Sequence, residues 1–198
     1  MKLLVDVCCG ICLLGVLPQI QDMDYYLIFS GDNICCEEEF DRRKDVFLKV
    51  CSYYNIHNYL TFSYYHKGYL EYVKGFENEK ERGKRCQLCF EYRFNKLLNN
   101  LTNFKFNENF VDNKIFNKSY ENNDDEIMFT TTLSVSRYKN YNQILLAGNT
   151  VANRFNNKIK FLSKNFKNDQ LYAKGYRIAK DLGLYRQKFC GCEFSKRQ

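Results

Sequence analysis

The sequence predicts an alternating α/β fold with a largely parallel sheet. Three observations carry that prediction. Short apolar runs rich in β-branched or aromatic residues recur along the chain. Longer stretches with apolar residues at helical spacing separate them. The first apolar run passes through a glycine turn directly into a short apolar helix. Strands that alternate with helices in this way imply a largely parallel sheet.

Leu3–Val7 reads as a buried strand, and Gly10 turns the chain. Leu13 to Leu17 then forms a short helix that Pro18 ends. This strand–turn–helix puts Cys8 and Cys9 at the strand's C-terminal end and Cys12 near the first helical turn. Tyr25–Phe29 is the second strand. Glu37–Tyr54 follows as a helix whose Phe40, Phe47, Val50 and Cys51 share an inward face, so Cys51 reads as plain core. Leu60–Tyr64 is the third strand, followed by helices at Tyr69–Phe76 and Cys89–Leu101. Ile127–Thr131 and Lys158–Leu162 are strands, each with a helix after it, Tyr141–Phe155 and Leu171–Leu182. Between Asn103 and Asp125 the rhythm breaks, and an Asn-rich, aromatic-dotted stretch reads as a surface insertion. No repeat and no internal boundary divides residues 1–198, so one domain is expected.

Composition narrows the class. With 17% aromatic residues the chain is not disordered throughout. No run approaches the ~20 apolar residues of a membrane span. Asp6 interrupts the N-terminal apolar residues too early for a secretory segment, so a cytoplasmic location and no membrane partner are expected. A net charge of +7 favours an anionic partner. The chain has ten cysteines. In a reducing compartment such cysteines are metal-binding or catalytic sooner than a disulfide framework.

Nine of the ten cysteines fall in clusters: Cys8/Cys9/Cys12, Cys35/Cys36, Cys86/Cys89 and Cys190/Cys192. Ligands of open α/β sheets gather at C-terminal strand ends, where the first cluster lies, and free N–H groups there stabilise thiolates. Cys86-x-x-Cys89 at a helix start is a two-thiol claw for one metal or a redox disulfide. Arg82, Lys84 and Arg85 just before it favour thiolates and phosphates. In Cys190-Gly191-Cys192, glycine permits the unusual dihedrals of a strained, labile disulfide, and two thiolates binding metal is the alternative. Four thiolates suit zinc and an iron–sulfur cluster alike, and spacing does not choose between them.

Together these blocks resemble the epoxyqueuosine reductase QueH family. The resemblance rests on Cys8-Cys9-Gly10-x-Cys12 and on Gly75-Phe76-Glu77 with Glu81-Arg82-Gly83-Lys84-Arg85-Cys86-x-x-Cys89-Phe90-x-x-Arg93. It rests also on Phe129-Thr130-Thr131-Thr132-Leu133-x-x-Ser136-x-Tyr138-Lys139-Asn140 and on Leu184-Tyr185-Arg186-Gln187-x-Phe189-Cys190-Gly191-Cys192-x-Phe194-Ser195. It implies a Rossmann-like core and reduction of epoxyqueuosine to queuosine at the tRNA wobble position, the last step of queuosine synthesis, without cobalamin. It further implies a [4Fe-4S] cluster on Cys8, Cys9, Cys86 and Cys89, and a redox-active disulfide at Cys190–Cys192. Three departures stand out. Cys35-Cys36 replace the family's usual His-Pro after Asn33-Ile34, Lys80 replaces a proline, and the stretch between Arg93 and Phe129 is longer.

On this reading tRNA phosphates and bases would meet Arg82, Arg85, Tyr138, Lys139 and Arg186. Asp6, Asp32, Glu91 and Tyr138 are the candidate proton donors. Cys12 leaves room for a second metal ion. The ten glycines are scattered with no dinucleotide fingerprint, so no flavin or NAD is expected and electrons would come from an external donor. Two other classes compete. An iron–sulfur tRNA sulfur-transferase would need ATP, but Asp6-Val7-Cys8-Cys9-Gly10 has one glycine where an ATP-binding loop needs more. A zinc-ordered RNA-binding module without catalysis would leave the CGC pair with no role.

Overall fold

The computed structural model describes residues 1–102, 127–155 and 158–195. The Asn-rich stretch expected as a surface insertion falls outside them. Five strands form one sheet: β1 (Lys2–Val7), β2 (Tyr25–Phe29), β3 (Tyr59–Thr61), β4 (Ile127–Thr131) and β5 (Ile159–Phe161). Every pairing is parallel, and the order is β3-β2-β1-β4-β5. This is the doubly wound, Rossmann-like order, in which the chain reverses its direction of winding between β1 and β4. The helices are α1 (Gly10–Val16), α2 (Glu37–Tyr53), α3 (His66–Tyr72), α4 (Lys84–Thr102), α5 (Tyr141–Asn153) and α6 (Asp169–Asp181).

The alternation of side chains along β1 explains the two helical layers. Leu3, Val5 and Val7 point to one face, where they share a core with Leu13, Phe47, Val50 and Ala179 of α1, α2 and α6. Leu4, with Ile28 and Phe129, points to the other and meets Phe94 and Leu98 of α4 and Ile144 and Ala147 of α5. Cys51 lies in the first core at 1% exposure, as its helical spacing predicts. Burial pushes its thiol up to about 12.

Most elements stand where the sequence puts them, and the exceptions have physical causes. Helix α4 begins at Lys84, five residues before its expected start, because the Glu79 carboxylate accepts the Lys84 N–H at 3.1 Å. Helix α3 begins at His66 and ends at Tyr72, and Gly75 beyond it takes φ +88°. Strand β3 is shorter than expected, although Phe62 N still donates to Phe29 O at 2.9 Å beyond its end.

Below the C-terminal ends of β1 and β4 lies a buried ion pair. Arg93 of α4 donates to Asp6 through Nε at 3.2 Å and Nη2 at 2.7 Å. Its Nη1 donates to Asn33 Oδ1 at 2.7 Å, and Thr131 Oγ1 donates to Asp6 Oδ2 at 2.7 Å. Burial pushes Asp6 up while Arg93 and Thr131 pull it back. We read the pair as ionised, because Arg93 cannot release its proton and Asp6 accepts three hydrogen bonds. The pair ties α4, which carries Cys86 and Cys89, to the strand that delivers Cys8.

Candidate functional site

The reversal between β1 and β4 opens a crevice at the strands' C-terminal ends, and the thiols gather there. Cys8 leaves β1 directly. Its N–H donates to Thr132 Oγ1 at 2.9 Å, and the same hydroxyl lies 3.2 Å from Cys8 Sγ. Cys9 caps α1, its Sγ accepting from Cys12 N at 3.3 Å. The sulfurs of Cys8, Cys9 and Cys12 all lie within 4.8 Å of one another. Two thiolates on one tetrahedral ion sit roughly 3.8 Å apart, for metal–sulfur bonds of ~2.3 Å, so the trio is within reach of a single ion. Hydrogen bonds from Cys12 and Cys8 hold Cys9 well below the usual thiol range. Hydrogen bonding to Cys8 and Cys9 holds Cys12 well above it. The trio therefore favours one thiolate, at Cys9, before any metal displaces the remaining protons.

Cys86 and Cys89 occupy the first turns of α4. Arg82 N donates to Cys86 Sγ at 3.2 Å. Burial pushes both thiols up, Cys89 the further. Arg93 lies one helical turn beyond Cys89 and donates to the carbonyl of Val7, the residue before Cys8, so its charge favours the thiolates of both. Lys139 is the second cation: its Nζ donates to Cys190 Sγ at 2.6 Å. Burial opposes the Lys139 charge, but Cys190, with Cys89 and Cys86 behind it, outweighs burial and keeps it an ammonium.

The CGC loop is bound into this neighbourhood from several elements. Gly191 takes φ +111°, and a Cβ there would meet Arg43 Nη1 at 2.9 Å, so only glycine serves. Arg43 of α2 donates to Cys190 O at 3.0 Å and Phe189 O at 3.3 Å. The Tyr69 hydroxyl is hydrogen-bonded to Cys192 Sγ at 3.2 Å. Burial pushes Cys192 up, and the Tyr69 hydroxyl pulls it back. His66 Nε2 pairs with Glu193 Oε1 at 2.9 Å. No disulfide joins any of the ten cysteines.

The structure sorts the other expected site residues. Arg82 and Tyr138 are exposed and joined, Arg82 Nε donating to Tyr138 O at 3.1 Å. Arg186 is exposed, its guanidinium 4.8 Å from the Tyr176 ring centre. Arg85 differs from the expectation of a substrate contact. It is 1% exposed and donates to the carbonyls of Phe76, Glu77, Glu79 and Phe194. The segment 76–79 before α4 turns three of these carbonyls inward and the segment after Cys192 supplies the fourth, and Arg85 satisfies them as a clamp. Three of the candidate proton donors are already engaged: Asp6 by Arg93, Asp32 by Tyr92, Lys96 and the Tyr65 N–H, and Glu91 by Gln87 and Arg154. Tyr69, the His66–Glu193 pair and Gln187, which hydrogen-bonds Cys9, escape sequence reading. Each meets its partner only through the fold.

A doubly wound α/β protein with a metal-competent thiol centre at its strand reversal and a second thiol pair alongside is the class that fold and site define. The model of one family, described as epoxyqueuosine reductase QueH, matches residues 3–110 and 114–198. The chain belongs to that family of oxidoreductases. The epoxyqueuosine reductase QueH of Thermotoga maritima is 27% identical over 97% of this chain and 88% of its own length. Those of Acinetobacter baylyi and Streptococcus pyogenes are 28% and 27% identical, over 99% and 98% of this chain and 81% and 70% of their own.

Proposed function

We propose that the protein reduces the epoxide of epoxyqueuosine to queuosine in tRNA, with an iron–sulfur cluster and Cys190/Cys192 as a redox-active pair. The observation that carries this reading is the gathering of three thiol groups around Arg93 and Lys139, in a chain matched nearly end to end by a family named for that activity. The donor set fits a cluster. The β1 thiols are close enough to ligate together, Cys9 is held towards its thiolate, and two buried cations offset the negative charge of several thiolates. Cys8, Cys9, Cys86 and Cys89 would hold the cluster, with Cys12 a further donor for a second metal ion. When bound, the cluster would supply one-electron transfer and, where an iron keeps an exchangeable position, Lewis acidity at the epoxide oxygen.

The chain's own residues account for the rest. Converting the epoxide to an alkene takes two electrons and two protons and releases water. Cys190 and Cys192 supply both electrons as they close to a disulfide, and their two thiol protons complete the water. Lys139 Nζ donates to Cys190 Sγ and the Tyr69 hydroxyl sits on Cys192, so each sulfur has its own hydrogen-bond partner during the exchange. Arg82, Tyr138 and Arg186 form the exposed rim that receives the RNA. Lys139 faces the sulfur and not the solvent.

Protein purified without oxygen tests the reading through its iron, acid-labile sulfide and zinc contents and through its activity on epoxyqueuosine-containing tRNA. Iron and sulfide at about four each per chain, with queuosine formed, is the expected result. Cys86→Ser is expected to lose iron, and Cys190→Ser to lose turnover while keeping iron. Stoichiometric zinc without sulfide, together with no queuosine formed, would sink the proposal.

A further inference from the structure

We propose that Cys35 and Cys36 are a second redox pair that carries electrons from an external protein dithiol to Cys190/Cys192. The inference rests on the reading of Cys190/Cys192 as a redox pair and names what feeds it. Four observations converge on it. Cys35 N donates to Gly191 O at 2.8 Å, so the main chain of one pair is stitched to the middle of the other. The sulfurs of Cys35 and Cys36 lie 3.9 Å apart. Cys36 is exposed and Cys35 half-buried, whereas Cys192 is buried at 5% exposure. Helix α2, which begins just after Cys36, carries Arg43, whose guanidinium holds the carbonyls of Phe189 and Cys190.

With Cys192 buried and Cys190 half-buried, the pair offers a bulky protein thiol little of the in-line access to a sulfur that exchange requires. An exposed thiol pair next to it removes that obstacle. In the first step the Cys35 thiolate attacks Cys190 Sγ. The Cys190–Cys192 bond breaks, and Cys192 leaves towards the Tyr69 hydroxyl. In the second step the Cys36 thiolate attacks Cys35 Sγ. The Cys35–Cys190 bond breaks, and Cys190 leaves towards the Lys139 ammonium. The protons lost by Cys35 and Cys36 end on Cys192 and Cys190. The external dithiol then reduces the Cys35–Cys36 disulfide by the same exchange and leaves as a disulfide. The sum is one external dithiol oxidised and one Cys190–Cys192 disulfide reduced. Closing the vicinal pair brings two sulfurs from 3.9 Å to about 2.05 Å within a small ring. Such a strained, exposed disulfide is readily reduced from outside.

The test uses anaerobically purified, metal-loaded protein in four forms: wild type, Cys36→Ser, Cys35→Ser/Cys36→Ser and Cys190→Ser/Cys192→Ser. Iron content and thermal unfolding confirm equal loading and folding. After mild oxidation with diamide, acid quenching and alkylation, peptide mass spectrometry reads the disulfides. Cys36→Ser is expected to trap a Cys35–Cys190 disulfide, which its double variants cannot form. Reduction of Cys190–Cys192 by thioredoxin is expected to slow at least tenfold in Cys35→Ser/Cys36→Ser, while dithiothreitol reduces both proteins alike. Equal thioredoxin rates, or no trapped Cys35–Cys190 species, would overturn the relay while leaving the redox pair intact. Absence of a Cys190–Cys192 disulfide after one turnover of Cys35→Ser/Cys36→Ser on epoxyqueuosine-containing tRNA would instead remove the redox pair itself, and the relay with it.

Discussion

Arg93 carries more of the site than any cysteine does alone. Its guanidinium holds Asp6, Asn33 and the Val7 carbonyl, and its charge favours the thiolates of Cys8 and Cys89. Arg93→Met removes the cation and leaves Asp6 buried at 0% exposure with Thr131 as its remaining side-chain partner. Breaking one side of a buried pair costs about 3–5 kcal/mol, and denaturant unfolding is expected to show a loss of that order. Arg93→Lys is expected to recover only part of it, because one ammonium cannot reproduce the two-pronged contact to Asp6 and the third bond to Asn33. Equal stability of the methionine variant and wild type would show that the pair is not holding α4 to β1. The sequence announces the arginine, four residues after the claw, but not its partner, since Asp6 and Arg93 meet only when β1 and α4 pack. The same reason hides His66–Glu193 and Tyr69–Cys192, whose members lie far apart in the chain. Thr130-Thr131-Thr132 closes β4 and opens the turn after it with three hydroxyls. The fold spends two of them inward, Thr131 on Asp6 and Thr132 on Cys8.

The elements were legible where a periodic pattern was long, and less so where a cap or an edge decided the boundary. The first core face of α2 could be read directly from Phe40, Phe47, Val50 and Cys51, all of which are buried. The start of α4 could not, because its cap is a glutamate five residues upstream of Lys84 and not a neighbour with a familiar capping side chain. The α1–α2 contact offers an element-scale test. Gly10 opens α1 immediately after Cys9, and a Cβ there would lie 2.8 Å from both Val46 Cγ1 and the Val46 carbonyl oxygen. A main-chain oxygen cannot swing aside, so Gly10→Ala forces α1 away from α2. Overpacking of this kind costs roughly 1–3 kcal/mol, which exceeds the gain of up to about 1 kcal/mol from alanine's helix propensity. The melting temperature is expected to fall by several degrees. Gly15→Ala is the matched control on the same helix. Its Cβ would meet Val135 Cγ1 at 3.4 Å, an ordinary contact, so a neutral or stabilising effect is expected. If both alanines behave alike, close approach at Gly10 does not govern how α1 sits.

At the scale of the whole molecule, the net charge of +7 matters through where mobile cations remain. Lys139 is committed to Cys190, Arg85 to four carbonyls, Arg93 to Asp6 and Arg43 to the CGC loop. The charges left to meet an RNA backbone beside the thiol centre are on the rim. Arg82 adjoins the claw, and Arg186 precedes Gln187, the residue hydrogen-bonded to Cys9. Both guanidinium groups are exposed. Each phosphate contact contributes roughly 0.7–0.9 to the slope of log affinity against log salt concentration. Arg82→Gln with Arg186→Gln is therefore expected to weaken tRNA binding at low salt and to flatten that slope by about 1.4–1.8. The bond from Arg82 to Cys86 Sγ comes from the main chain, so this variant leaves the claw's hydrogen bond in place, and iron content is expected to hold. That separation makes the measurement decisive. A flattened slope with unchanged iron assigns the rim to the RNA backbone. An unchanged slope would move the RNA contact elsewhere on the surface and leave Arg82 and Arg186 as solvated charges.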